Sequence, residues 1–255
     1  MSENKSGAIG RYHLEGVDVV RSLLDQDEID ILIKEADRLW DENKHFSALN
    51  IRVGLRSSLD GKDLLERLDP VADISPLFRA LNEDQRIVQL AVGALGEPAI
   101  PMKEKLIYKW PGTSGYGAHR DQHYFASSGA TGQEMVSIAI ALDKADANNG
   151  AIKVYPQLRL VELAPPPGEP RDIDAHLLES EPFFMPHLKP GDVLMFDGIT
   201  PHRSEVNTSN ICRRTYTMTF VPARLVDCRE NYYRHRFEEQ SKQRSQDYSG
   251  KFFFS

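Results

Sequence analysis

His119, Asp121 and His123 fall within five residues of one another, in the stretch GYGAHRDQHYF that runs from Gly115 to Phe125. A histidine and a carboxylate two positions apart share one face of an extended strand, so both can reach one metal ion. Such a pair is weak by itself, because 8 histidines and 20 aspartates give roughly 0.6 HxD matches by chance. A polar row on a solvent-facing strand is the plain alternative. The sharper reading needs a third ligand from elsewhere in the chain. Two histidines and one carboxylate on one face of a metal leave three positions open, which is the arrangement of the non-haem Fe(II) oxygenases. The candidates for the third ligand are His123, His176, His187 and His202. His123 continues along the same strand and would be carried past the metal. His176 sits in a proline-rich insertion, and His187 precedes the turn LKPGD. His202 follows an apolar strand and a corner in PGDVLMFDGITPHRSEVN, from which it can face a neighbouring strand.

The elements that must hold these residues are legible from hydropathy. GVDVVRSLL (16–24) predicts a short strand. DQDEIDILIKEADRLW predicts a helix, with Asp25 as cap, Glu28 as its capping-box partner and an apolar face of Ile29, Leu32, Ile33, Ala36, Leu39 and Trp40. NEDQRIVQLAVGALG predicts a second helix between Asn82 as cap and Gly96 as stop. After Pro101 the segments become short and rich in β-formers: KLIYKW, MVSIAIAL, AIKVY, DVLMF and TYTMTFV. Gly, Pro and Asn separate them. The expectation is a single domain over 1–255, with a helical part over about 16–100, a β core over about 101–222 and a tail over 223–255. LAPPPGEPRDIDAHLLESEP reads as a long loop inside the β core. The tail is polar until Phe252–Phe254, which is expected to dock on the domain or on a partner.

Bulk properties narrow the class. The chain has 255 residues, 40% hydrophobic and 27% charged, enough for one large core. Its net charge is −7 and it has no long basic run, which argues against nucleic acid as a partner. No apolar run approaches the roughly 18 residues of a membrane span. The start, MSENKSGAIG, lacks the apolar core of a signal peptide. Two cysteines, Cys212 and Cys228, make no disulfide framework. A cytoplasmic protein is expected, and composition leaves room for a homo-oligomer.

Four stretches taken together resemble the phytanoyl-CoA dioxygenase family of Fe(II)/2-oxoglutarate oxygenases: GYGAHRDQHYF, IALDKADANNGAIKVYP, KPGDVLMFDGITPHRSEVN and RRTYTMTFVP. The likeness runs from about Gly16 to Pro222. It implies a double-stranded β-helix (jelly-roll, cupin-like) core with flanking helices. It also implies Fe(II) held by His119, Asp121 and His202, with 2-oxoglutarate and O2 as co-substrates. Arg213, eleven residues past His202, matches the arginine that binds the distal carboxylate of 2-oxoglutarate, and Ser204 matches an assisting hydroxyl. Strand alternation would put Arg213, Thr215 and Thr217 on the site face and Arg214, Tyr216 and Met218 on the other. The family's bacterial small-molecule hydroxylases look nearest, so a small polar substrate is expected, with Tyr116, Gln122, His123 and Arg159 as its contacts. Where many relatives carry a Gly-Ser-His sequence, this chain has Gln157, Leu158 and Arg159. An intact Asp121 argues against halogenation, in which that position is small. Hydroxylation or oxidative ring closure is the implied outcome. A cupin-like protein that binds a metal or small ligand without turnover is the alternative, and succinate formation separates the two.

Overall fold

The computed structural model describes residues 7–43 and 52–243. Phe252–Phe254 lie outside the described residues. In chain order the elements are α1 (Gly7–Glu15), β1 (Val17–Val20), α2 (Gln26–Asn43), β2 (Val53–Ser57), β3 (Asp63–Leu68), α3 (Pro76–Glu83), α4 (Gln85–Leu95), β4 (Ala99–Lys109), α5 (Asp121–Tyr124), β5 (Val136–Ala141), β6 (Ile152–Val154), β7 (Val193–Asp197), β8 (His202–Ser204), β9 (Arg213–Pro222) and α6 (Cys228–Gln243).

The strands form an antiparallel seven-stranded sheet in the order β1-β7-β5-β9-β4-β3-β2, and β6 pairs with β8 in a second, smaller sheet. One face of the large sheet carries Val136, Ile138, Ile140, Val193, Met195, Tyr216 and Met218, which pack in one cluster with Ile29, Leu32, Ala36 and Leu39 of α2 and Ile87 and Ala91 of α4. The helices therefore cover that face, and their apolar stripes explain why they form. The other face looks toward the small sheet. In the register of β4 with β9, Lys109 stands opposite Arg213, Ile107 opposite Thr215, Lys105 opposite Thr217 and Lys103 opposite Thr219. Directly opposed residues share a face, so this polar row is the floor of the jelly roll.

The α2 cap forms as its sequence predicts. The Asp25 amide donates to Glu28 at 2.9 Å, and the Glu28 amide donates to Asp25 at 3.0 Å. The second predicted helix is two. Asp84, in extended backbone, breaks the run and caps α4 by accepting from the Arg86 amide at 2.8 Å. Asn82 is not a cap. It is buried near the end of α3, where it accepts from the Tyr216 hydroxyl at 2.7 Å. Gly96 does stop α4, in left-handed backbone that suits glycine.

Four elements depart from the sequence expectation. β2 and β3 lie within the part read as helical; they are ordered by pairing outward from β4 (Arg67 opposite Ile107, Leu68 opposite Leu106). The polar start holds α1, whose Tyr12 is buried. The charged tail holds α6, which docks through Cys228, Tyr232 and Tyr233 onto Met102, Phe125 and Val221. Ion pairs of Arg229 with Glu104 and of Arg236 with Asp69 fix it further.

Candidate metal centre and active site

His119 and His202 come from segments 83 positions apart and meet through backbone pairing. The His119 amide donates to the His202 carbonyl at 3.0 Å, and the His202 amide donates back at 2.9 Å. Their rings lie with centroids 4.2 Å apart. Asp121 follows differently from the predicted strand. It opens α5, a single helical turn, while Arg120 points away and donates to the carbonyls of Ile199, Leu158 and Val161. The Gln122 amide donates to the Gly198 carbonyl at 3.0 Å and holds that turn in place. Any side chain at Gly115 would run into the Ser204 carbonyl, so the approach to the site needs glycine there.

One ligand atom from each of His119, Asp121 and His202 lies within 4.8 Å of the others. The donor set fits a metal in three further ways. First, Nδ1 of His119 lies 2.7 Å from the Gly117 carbonyl and Nδ1 of His202 lies 3.1 Å from the Thr200 carbonyl. A carbonyl only accepts, so both Nδ1 atoms carry the proton and both Nε2 atoms offer a lone pair. Second, burial pushes both imidazoles below their ordinary range, which keeps them neutral, as ligands must be. Third, Asp121 stays ionised. Burial alone would raise it, but any positive charge on His202 and His119, together with the hydrogen bond from the Ser137 hydroxyl, lowers it below the usual carboxylate range. Ser137 donates to Oδ2 of Asp121, and Oδ1 stands 3.8 Å from Nε2 of His202.

The triad borders a cavity whose far end is Arg213, Ser204 and Thr215. Arg213 is buried, and it donates to Thr215 Oγ1 at 2.7 Å and to the carbonyls of Asn149 (3.2 Å) and Gly150 (3.1 Å). It has no carboxylate partner among the described residues, and burial lowers its pKa to about 10. Thr215, Thr217 and Thr219 line the same cavity, while Tyr216 and Met218 pack in the core. Arg214 faces outward and pairs with Asp143 and Asp37. Ser204 Oγ accepts from Lys109 Nζ at 2.9 Å and from the Tyr116 amide at 3.1 Å. Nothing in the sequence marks Lys103, Lys105 and Lys109, which the β4–β9 register brings to this face. Burial, then Arg213, lowers Lys109 to about 7.

Tyr116 lines the cavity, but Gln122, His123 and Arg159 are not among its lining residues. A helical turn rotates successive side chains by about 100° rather than 180°, which carries Gln122 and His123 off the site face. Gln122 packs under Gly132, and His123 lies 3.3 Å from the Gln122 amide. Arg159 pairs with Asp197 beside Gly16. His187 is exposed, with its carbonyl accepting from Arg21, and exposed His176 lies against Glu179. His202→Ala should therefore abolish metal binding, while His187→Ala should leave it unchanged. Metal content after dialysis against Fe(II) checks this, and the reverse pattern would move the third ligand.

The comparisons agree with this geometry. The profile described as phytanoyl-CoA dioxygenase (PhyH) matches residues 12–215. A methylphosphonate hydroxylase of Gimesia maris is 35% identical over 159 residues, 61% of this chain and 58% of that protein. This chain thus spans a little over half the length of that relative. A 2-aminoethylphosphonate dioxygenase of an uncultured bacterium is 26% identical over 186 residues, 72% of this chain and 69% of the relative. Among solved structures, EctD of S. alaskensis with 2-oxoglutarate and 5-hydroxyectoine superposes with a TM-score of 0.71 at 18% identity, covering 87% of this chain and 79% of that one. The epimerase SnoN, in complex with Fe3+, alpha ketoglutarate and nogalamycin RO, gives 0.70 at 19% identity, covering 86% and 83%. The fold is the jelly roll of these proteins, and with its profile matched along four-fifths of its length the chain belongs to the phytanoyl-CoA dioxygenase family.

Proposed function

We propose that the chain is an Fe(II)- and 2-oxoglutarate-dependent oxygenase that oxidises an unactivated C–H bond of a small polar metabolite. The observation that carries this reading is one cavity with two unlike ends. At one end stand two neutral imidazoles and a carboxylate. At the other stands a buried arginine whose charge meets no carboxylate among the described residues. A dicarboxylate co-substrate supplies what the second end lacks. When iron and 2-oxoglutarate are bound, the centre couples O2 reduction and oxidative decarboxylation to succinate and CO2 with oxidation of the substrate.

The chain's own residues set the stage for that chemistry. His119, Asp121 and His202 hold the metal on one side, leaving the opposite side open. Arg213 offers its guanidinium fork to the far carboxylate, with Ser204 as a second donor. Ile107, Ile152 and Phe196 line the cavity between them and keep water out. Hydroxylation is the simplest outcome; ring closure is the variant in which a substrate hydroxyl ends the reaction. The relatives named for phosphonates favour a small polar substrate over a long acyl chain. The two free cysteines, and the lack of a helix long and apolar enough to cross a membrane among the described residues, fit the cytoplasm as its compartment.

The test is succinate formation from 2-oxoglutarate with Fe(II), O2 and a pool of polar metabolites, read together with depletion of one metabolite. Metal binding with no succinate under any pool would favour a non-catalytic cupin-like binder. A second expected result concerns Lys109, which donates to Ser204 Oγ and stands opposite Arg213 in the β4–β9 register. An anion beside it raises its pKa, so binding of 2-oxoglutarate is fully supported below about pH 7 and weakens as pH rises toward the raised value. Anaerobic titrations across that range should show the half-saturating concentration climbing, and Lys109→Met should flatten the slope. A slope that survives in Lys109→Met would exclude this lysine as its source.

A further inference from the structure

His119 and Asp121 of the triad also border a second chamber that Arg213 does not line, and Tyr116, Phe125, Lys103 and Lys105 line both. Its lining is strongly cationic, with Arg56, Arg67, Lys103, Lys105, Arg171 and Arg236 set against Asp69 and Glu239. Arg171 and Glu239 neutralise each other. The remaining cations outnumber their counterions. Glu66 is shared by Arg56 and Arg67, and Asp69 by Lys103 and Arg236. Lys105 has neither an ion pair nor a hydrogen bond among the described residues and lies 5.2 Å from the centre of the Tyr116 ring. Two carboxylates thus serve four cations, while Lys105, whose pKa burial lowers to about 7, has only Asp121 of the triad and the already shared Asp69 as nearby counter-charges.

Two polar atoms here are buried without a hydrogen-bond partner among the described residues, Nη2 of Arg236 and the Tyr116 hydroxyl. An unsatisfied buried donor costs about 1–3 kcal/mol, and two in one cationic chamber point to a ligand that meets them. Arg236 comes from α6, which begins at Cys228, beyond residue 215 where the family match ends. Arg67 comes from β3 and Lys105 from β4. Donors from three elements suit a head group with three oxygens.

We infer that the outer chamber is a subsite for a doubly charged tetrahedral head group of the substrate, a phosphonate or phosphate monoester, held by Lys105, Arg67 and Arg236 beside the metal triad. This rests on the oxygenase reading for its chemistry, but the anion site itself can be read without iron.

The probes are ethylphosphonate, ethyl phosphate and ethanesulfonate, which share a tetrahedral head and differ in charge or linkage. Binding to the full-length, metal-free protein is measured by calorimetry at a pH where the phosphonate is mostly doubly ionised. One dianion should bind about tenfold or more tighter than ethanesulfonate, and the tighter of the two names the source. Lys105→Met and Arg236→Gln should each weaken that dianion by about tenfold or more. In the Fe(II)-loaded protein, Arg236→Gln should not change the half-saturating 2-oxoglutarate concentration read from the charge-transfer band, because Arg236 does not line the cavity of Arg213. Lys105 makes no ion pair or hydrogen bond among the described residues, so its variant stays interpretable if loss of Arg236 loosens α6. Equal affinity for sulfonate and dianion, or an unaltered Lys105→Met, would overturn the subsite. Dianion binding with no charge-transfer band would keep the subsite and sink the oxygenase reading instead.

Discussion

Asp121→Ala should leave a folded protein that no longer holds Fe(II) and forms no succinate. The carboxylate is the sole anion of the triad, so its loss removes a bond and the charge compensation of the metal together. Even outer partners of metal ligands are worth about 10–100-fold in affinity, so the ligand itself should exceed about a hundredfold. The fold should survive because the hydroxyl that Asp121 leaves behind is not orphaned: Ser137 Oγ also lies 3.1 Å from Thr219 Oγ1. Ser137→Ala gives the graded counterpart. It keeps the ligand but removes the donor that aims its second oxygen, and should weaken iron by about 10–100-fold. Metal titration followed by circular dichroism separates these outcomes from unfolding. Full iron occupancy in Asp121→Ala would refute the assignment of the centre.

How far the fold could be read in advance depended on what each segment buries. Segments with a strong period of their own were legible: α2 by its stripe and capping box, β5, β7 and β9 by their apolar runs. Those stabilised by a neighbour were not. β8 spans three residues, His202–Ser204, and exists because Ile152–Val154 pairs with it. β3 carries charges along its length and is held by the edge of β4, and β2 pairs in turn with β3. α6 looks like a solvated tail by composition, yet Cys228, Tyr232 and Tyr233 at helical spacing mark the face it buries.

The site divides in a similar way. Residue types alone leave the third ligand open among four histidines; the family resemblance is what singles out His202 and, eleven residues on, Arg213, and the chemistry of those residue types is compatible with the roles. The local geometry of HxD was hidden, since only tertiary contacts show that Arg120 swings into three carbonyls and lets Asp121 start a helical turn. The lysines were hidden for the opposite reason. Lys103, Lys105 and Lys109 alternate along β4 in a pattern that ordinarily marks a solvent face, and here that face is the interior of the jelly roll. Gln122, His123 and Arg159 looked available for a substrate because they are polar and near the triad in sequence. The turn at α5 and the pairing of Arg159 with Asp197 take them elsewhere.

Arg213→Ala should raise the half-saturating 2-oxoglutarate concentration by about thirtyfold or more, and Arg214→Ala by no more than a fewfold. Removing one partner of a buried charge pair costs roughly 2–5 kcal/mol, and each ~1.4 kcal/mol is a factor of ten. Arg213 is buried, faces the cavity and spends its hydrogen bonds on two carbonyls and a hydroxyl, none of which neutralises it. Arg214, next along β9, points to the other face and ties Asp143 to Asp37 of α2. Its loss should therefore appear in thermal stability, by about 1 kcal/mol for pairs that are partly exposed. Arg213→Lys discriminates charge from shape. It keeps the charge but loses the planar fork, so an intermediate loss is expected. Neither arginine is a metal ligand, so iron content should be unchanged in all three variants. The measurement is an anaerobic titration of 2-oxoglutarate into the Fe(II) protein, followed by its charge-transfer band. A large loss in Arg214→Ala with none in Arg213→Ala would put β9 one residue out of register and invert both of its faces. No loss in either would remove 2-oxoglutarate as the co-substrate, and with it the reading of the cavity's far end.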